Sequence, residues 1–242
     1  MSADAFDFAT TRWSVVSSAR HGSHEALTTL ATNYRNPLRA YIVALGYAQD
    51  ADDLVQEFFA SKFLREGFLD STQHGERGRF RTFLKHCLRN FIIDLKDPKR
   101  HRPNPGQSLA DLRLQAEDPS TGLPLHELAA REAAADQAWD RAWARALLER
   151  ARQNLAAECV RAGKTRLMEH FNRVLDEDPD APSRRAVAED CGMSEGAVGV
   201  AFHRMRERLK VLLLDEIRET IARPEDWKEE QRHLLSIFSV GA

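Results

Sequence analysis

The sequence contains few of the residues and patterns that build disulfide-linked, metal-binding or membrane-spanning proteins. Its 242 residues include three cysteines, Cys87, Cys159 and Cys191, which are scattered and form no CxxC pair, and its histidines lack ligand spacing. We therefore expect buried, reduced thiols and no metal site. No apolar run approaches the roughly 20 residues that cross a bilayer, and the N-terminus lacks the pattern of a signal peptide. These absences predict a cytoplasmic protein without a membrane partner.

A strong excess of charge is also missing. Lysine and arginine total 35 and aspartate and glutamate 37, which gives a formal net charge of -2. This excludes a uniformly basic nucleic-acid coat, so any affinity for nucleic acid must come from local patches. No Ser/His/Asp or Cys/His arrangement and no glycine-rich phosphate loop is present. We therefore expect no enzymatic activity, no cofactor and no small-molecule substrate.

Apolar residues recur at helical spacing throughout, whereas strand-like alternation is scarce, so the chain is predicted to be all-α. Helices are expected from about residue 11 to Gly22, from Ser23 onward, from Pro37 to Gly46 and over 50–65. Five prolines between residues 98 and 124 indicate a linker. An alanine-rich helix capped by Gly163 should follow, with Trp139 and Trp143 packed in a core.

The predicted organisation is two small helical domains. It comprises a first domain (1–97), the linker (98–124), the alanine-rich helix (125–163), a second domain (164–221) and a C-terminal helical extension (222–242). The extension carries Trp227, Leu234, Leu235, Ile237 and Phe238 in an amphipathic pattern. We expect this extension to cover the second domain, with a built-in regulator as the alternative.

The segment 77–102 interleaves basic and aromatic residues at helical spacing. One stripe is apolar, with Phe80, Leu84, Cys87, Leu88, Phe91 and Leu95, and another is basic, with Arg81, Lys85, Arg89 and Lys96. Phe83 and Asn90 lie on a third flank, where a ring and a carboxamide can stack on and hydrogen-bond an unpaired base. A solvated basic face above an ordinary core is the alternative.

An acidic arc lies on the helix before it. Asp52, Asp53, Gln56 and Glu57 fall on one side, while Leu54, Val55, Phe58 and Phe59 fall on the other. Without histidine, and with the carboxylates diverging around the helix, a cation cage is not expected. A docking face for a basic protein surface fits the pattern better.

These two segments resemble the sigma factors of bacterial RNA polymerase. ADDLVQEFF resembles the D-L-x-Q-E-x-F signature, and Phe80, Arg81, Phe83, Leu84, Arg89, Asn90 and Asp94 match the next motif in register. The resemblance implies that Asp52, Asp53, Leu54, Gln56, Glu57 and Phe58 bind the clamp helices of core polymerase. It further implies that the loop 70–79 and the basic helix open the minus-ten element, with DNA contacts from Arg77, Arg79, Arg81, Phe83, Lys85, Arg89, Asn90, Lys96, Lys99 and Arg100.

Residues 183–210 have the spacing of a helix-turn-helix. Ala186, Val187 and Cys191 should pack the first helix, Gly192 make the turn and Ser194 cap the second helix. Val198, Phe202, Met205 and Leu209 form the predicted core stripe. The outward face, which a recognition helix lays in the major groove, consists of Ser194, Glu195, Gly196, Gly199, Val200, His203, Arg204 and Arg206.

GMSEGAV and HRMRERL resemble the fourth region of extracytoplasmic-function sigma factors, which reads the minus-thirty-five element. Together with TRWSVV, GERGRF and the long tail, they look like a subgroup expanded in planctomycetes. Many relatives place Lys, Ser and Arg where this chain has Gly199, Val200 and Ala201. We therefore expect weak direct readout by this helix and more specificity from segment 77–102.

The resemblance implies a sigma factor whose partners are core RNA polymerase, through its clamp helices and flap, and promoter DNA. It leaves open an anti-sigma factor or another regulatory partner. The rival interpretations are a stand-alone helix-turn-helix repressor, which binds duplex DNA without polymerase, and a sigma-like decoy that binds polymerase without initiating transcription.

Overall fold

The computed structural model describes residues 14–65, 67–69, 80–96, 125–218, 221 and 226–239. These residues are almost entirely helical, which confirms the all-α prediction. The helices are α1 (Ser14–Arg20), α2 (His24–Ala44), α3 (Ala51–Phe58), a π-helical turn (Phe59–Phe63), α4 (Phe80–Lys96), α5 (Leu125–Arg161), α6 (Thr165–Leu175), α7 (Arg184–Cys191), α8 (Glu195–Arg218) and α9 (Trp227–Ser239). The predicted linker, 98–124, lies outside the described residues.

Helix α2 corrects the prediction of a new helix at Pro37, because it runs through the proline without ending. A proline inside a helix removes one backbone hydrogen bond and crowds the preceding turn. Here the same apolar face continues past it: Tyr34, Leu38 and Ile42 are all buried, as is Pro37 itself. Burial of that uninterrupted face offsets the lost hydrogen bond, so the helix persists.

The helix predicted over 50–65 is divided. After α3 the backbone switches to a π-helical turn, which ends at Phe63. The turn belongs to an aromatic cluster in which Phe58 contacts Phe91 at 5.5 Å and Phe59 contacts Phe63 at 5.2 Å, measured between ring centroids. Edge-on contacts of this kind are the favoured geometry of aromatic pairs.

Helix α5 is the longest element, with 37 residues and a length of about 55 Å. Its first half places Trp139 and Trp143 in a core with α1 to α4, where Trp139 packs against Tyr34 and Tyr41. Its second half places Ala151, Leu155 and Cys159 in a separate core with α6, α7 and α8. Both tryptophans are therefore core residues, as predicted, and one helix contributes to both cores.

The extension helix α9 packs against α5 and α8. Its Leu234 is buried in the first core, together with Ile217 from the end of α8. Arg218 of α8 stacks on Trp227, with 4.5 Å between the guanidinium carbon and the ring centroid. The extension therefore contacts α8, the last helix of the second domain, and its buried Leu234 also joins the core built on α1 to α5.

Candidate nucleic-acid interface

The acidic arc of α3 is exposed, as its amphipathic pattern requires. Asp53, Gln56 and Glu57 face solvent, whereas Val55 and Phe58 are buried beneath them. Burial of Phe58 corrects its assignment as a residue that contacts a partner, and Leu54 is half-buried against the same core. These two side chains hold the helix in place while the polar side chains remain accessible.

Asp52 is exposed but already paired. Its carboxylate lies 3.3 Å from Arg35 Nη2 and 3.1 Å from Arg39 Nε, both on α2. The hydrogen bond from Arg39, together with the charges of Arg39 and Arg35, lowers the pKa of Asp52 below its ordinary value. The arc that remains for a partner therefore consists of Asp53, Gln56 and Glu57, with Asp52 as a link between α3 and α2.

The first arginine of the basic stripe on α4 is buried. Arg81 is 5% exposed, and its guanidinium donates hydrogen bonds to both carboxylate oxygens of Glu230 in α9 and to Asp140 in α5. It also stacks on Trp143, with 4.7 Å between the guanidinium carbon and the ring centroid. This corrects the assignment of Arg81 as a phosphate ligand, because no surface remains for DNA to contact.

The Asp140 carboxyl beside Arg81 has a lowered pKa. Burial opposes ionisation of Asp140, but nearby His233, Arg81 and Lys85 outweigh it and lower the pKa of its carboxyl below the ordinary value. Glu230 is 1% exposed. A buried carboxylate is tolerated only when it is paired and hydrogen-bonded, so Arg81 and Glu230 depend on each other.

Lys85 and Arg89 continue the stripe at the surface. Lys85 Nζ lies 2.9 Å from Asp136 Oδ1, and Arg89 Nη2 lies 2.5 Å from Glu132 Oε1. Both carboxylates belong to α5 and are themselves solvent-accessible. In the part of the stripe whose side chains the structure describes, Arg81, Lys85 and Arg89 are each paired with α5, so this part is neither a solvated basic face nor an open DNA-binding face.

The two side chains predicted to bind a base, Phe83 and Asn90, differ in their exposure to solvent. Asn90 is exposed, and its side chain lies 3.1 Å from His86 Nε2. Phe83 is half-buried, with its ring centroid 5.3 Å from that of Phe68 and 6.1 Å from that of Phe80. Asn90 thus remains accessible to a base, whereas most of the Phe83 ring is packed.

The remaining predicted minus-ten contacts fall largely outside the described residues. These are the loop 70–79, which includes Arg77 and Arg79, and the residues Lys99 and Arg100. Lys96 is described in its backbone alone.

Helices α7 and α8 form the predicted helix-turn-helix. Ser183 and Ser194 cap the two helices by accepting hydrogen bonds from the backbone N–H groups of Ala186 and Ala197. Gly192 ends α7 with a φ of 64°, a left-handed conformation that glycine adopts without strain. Ala186 is exposed, which corrects its assignment to the core, and Ala188 is buried in its place.

The outward face of α8 is open to solvent. Glu195, Val200, His203 and Arg204 are exposed, while Val198, Phe202, Met205 and Leu209 are buried as predicted. Arg206 is also exposed, and its guanidinium carbon lies 6.0 Å from the Phe171 ring centroid. Neither interior glycine is required by packing. A Cβ on Gly196 would meet nothing within 4 Å, and one on Gly199 would lie 3.7 Å from Arg184. An alanine therefore fits at both positions.

His170, Asp190 and Cys191 come together where α6 meets α7, although the spacing of the histidines predicted no such cluster. His170 Nε2 lies 2.9 Å from one Asp190 oxygen, and Arg166 Nη1 lies 3.3 Å from the other. The hydrogen bond from His170, aided by the charge of Arg166, lowers the pKa of Asp190. Both oxygens are satisfied by protein groups, so the cluster acts as a polar link between α6 and α7.

Sequence reasoning missed the acidic partners of the α4 stripe. Glu132, Asp136 and Asp140 recur every four residues on α5, a spacing that places them on one helical face and matches that of Arg81, Lys85 and Arg89. This shared period is visible in the sequence. Glu230, which is 149 residues from Arg81, has no comparable sequence signal.

Comparison of the chain with protein-family models, curated proteins and solved structures finds no match. No helix among the described residues is both long enough and apolar enough to span a bilayer.

Proposed function

We propose that this chain is a sigma factor of the extracytoplasmic-function type, which binds core RNA polymerase in the cytoplasm and directs it to promoters. The observation that supports this most is the presence, on one framework, of an exposed acidic arc on α3 and a helix-turn-helix with an open outer face. A stand-alone repressor needs only the second feature. The sequence motifs of α3, α4 and α8 support the same function.

In this proposal, Asp53, Gln56 and Glu57 dock on a basic surface of core polymerase. Their exposure and shared arc suit that role, and Asp52 contributes by fixing α3 to α2. Asn90 contacts the separated strand near the minus-ten element. The outer face of α8 enters the upstream major groove, where the Val200 side chain can meet a thymine methyl and Arg204 a base edge or phosphate.

The free protein should bind duplex DNA weakly. Its net charge is -2, and three of its cations on α4 are paired with α5. Both the affinity for DNA and its salt dependence grow with the number of phosphates that a protein neutralises, so few contacts mean weak binding with a shallow salt dependence. Core polymerase supplies the remaining contacts.

A gel-shift experiment with promoter-length duplexes, with and without core RNA polymerase from the same organism, tests the proposal. The expected result is a specific complex only when both proteins are present. Tight, specific duplex binding by the isolated chain would instead indicate a repressor.

Two substitutions separate the proposed surfaces. Glu57→Lys reverses a charge on the docking arc and should weaken core binding about tenfold or more, measured by fluorescence anisotropy of the labelled chain. Glu169→Lys, an exposed change on α6, is the matched control. If both variants bind core equally well, the arc is not the docking surface.

Asn90→Ala should leave core binding intact and reduce open-complex formation, followed by permanganate reactivity of unpaired thymines. The side chain is exposed, and its removal leaves the buried face of α4 unchanged. Gln137→Ala, an exposed change on α5, serves as the control. Loss of folding rather than of melting would contradict the role assigned to Asn90.

A further inference from the structure

Helices α4 and α5 carry complementary charges in matched register. Arg81, Lys85 and Arg89 recur every four residues on α4, and their partners Asp140, Asp136 and Glu132 recur every four residues on α5 in the reverse order. Two helices that pair in this way run antiparallel. We call the three ion pairs a ladder and each pair a rung. A single rung is expected by chance between two charged surfaces, whereas three in matched register join the facing sides of the two helices through long side chains.

The three rungs differ in burial, and this divides their roles. The Arg81 rung is buried, shared with Glu230 of α9 and stacked on Trp143. The outer rungs lie at the rim of the interface, where the side chains of Asp136 and Glu132 are 54% and 36% exposed. The inner rung therefore fixes α5 to α4, whereas the outer rungs can exchange partners while the helices stay in place.

The outer carboxylates occupy positions that phosphates would take. The Lys85 ammonium and the Arg89 guanidinium bind anionic oxygens, and the same groups bind phosphate oxygens of nucleic acid. In both outer pairs the cation is half-buried, at 22% and 23% exposed, and the carboxylate is the more accessible partner. Ion pairs open to solvent on one side contribute modestly to stability, so a polyanion of high charge density can compete with these carboxylates. The accessible side of each pair is its carboxylate, which is the group that a phosphate would replace.

We propose that the acidic face of α5 masks part of the strand-binding surface of α4 in the free protein. Glu132 and Asp136 hold Arg89 and Lys85 in place of phosphates, so these two cations engage single-stranded DNA only after the carboxylates are displaced. This inference rests on the proposed function for its biological role, but the masking itself is a property of the chain alone.

The test measures binding of a fluorescein-labelled 20-nucleotide mixed-sequence single strand to the full chain by anisotropy, across a series of salt concentrations. The variant Glu132→Gln/Asp136→Asn removes both masking charges and keeps side-chain size. It should bind about fivefold more tightly at low salt. The slope of log K against log salt should steepen by about 1.4, the value expected for two added phosphate contacts on a single strand.

Two controls isolate masking from net charge. Glu149→Gln/Glu169→Gln makes the same change in net charge at exposed positions away from the ladder and should keep the wild-type slope. Adding Lys85→Ala and Arg89→Ala to the unmasked variant should return its slope to the wild-type value. Equal slopes for the wild-type and unmasked proteins, or a steeper slope that survives removal of both cations, would overturn the proposal.

Failure of this inference is distinguishable from failure of the proposed function. A chain that forms promoter complexes with core polymerase but shows no change in slope is a sigma factor without masking. If the salt slope of the unmasked variant steepens as expected but the chain never binds core polymerase, then α5 masks the cations of α4 and the chain is not a sigma factor.

Discussion

Replacing Arg81 by alanine should destabilise the fold far more than removing either of the other two paired cations on α4. The guanidinium is buried, contacts Glu230 and Asp140, and covers the face of Trp143. Its loss leaves Glu230, which is 1% exposed, as a buried carboxylate without its main counter-charge.

Breaking a buried ion pair by removing one partner typically costs about 3–5 kcal/mol, and loss of a desolvated cation–π contact can add about 2 kcal/mol. Lys85→Ala removes a cation from a pair whose carboxylate is more than half exposed, so it should cost about 1 kcal/mol or less. The predicted difference between the two variants is therefore at least about 2 kcal/mol.

Urea unfolding followed by circular dichroism at 222 nm measures both values. The triple variant Arg81→Met/Asp140→Asn/Glu230→Leu is the decisive companion, because replacing a whole buried charged group, and not one member of it, is often close to neutral. We expect it to recover most of the stability that Arg81→Ala loses. Equal, small losses for Arg81→Ala and Lys85→Ala would refute the assignment of Arg81 as a structural residue.

Three further predictions follow from the structure. Gly192→Ala should cost about 1 kcal/mol because of its left-handed φ, whereas Gly199→Ala, inside α8, should stabilise the helix by up to about 1 kcal/mol; urea midpoints that move in the same direction would contradict this. Cys87 is half-buried, and desolvation raises the pKa of its thiol to about 12, so it should react with Ellman's reagent at pH 8 more slowly in the folded than in the unfolded chain; equal rates in the two states would contradict this. Because the pKa of Asp190 is lowered in the folded state, its contribution is present above the unfolded value of about 3.9 and lost as the pH falls further. The melting temperature should then decline less steeply with acid in Asp190→Asn, and parallel declines would contradict that contribution.

Local patterns predicted much of the fold because local physics determines it. The Ser194 cap, the Gly192 turn and the core stripe of α8 all follow from residue type and helical period. The prediction that a new helix begins at Pro37 was wrong because it relied on local sequence alone. A local rule against proline in helices was outweighed by burial of a face that continues past it, and that burial is supplied by distant residues.

The candidate site was predicted less well because it depends on contacts between distant segments. Arg81 has the same sequence features as Lys85, yet one is buried and the other lies at the rim. The difference is made by Glu230, which the periodicity of α4 does not encode. The same dependence on distant contacts applies to Phe58. The motif assigned it to the docking surface together with the exposed Glu57, whereas packing buries it in the core.

The central claim is tested most directly by transcription in vitro from a genomic promoter library, with core RNA polymerase alone and with core plus the purified chain. We expect discrete transcripts that depend on the chain and that start downstream of two shared promoter elements, near positions minus ten and minus thirty-five. Binding of the chain to core without any such transcripts would contradict it and indicate a sigma-like decoy.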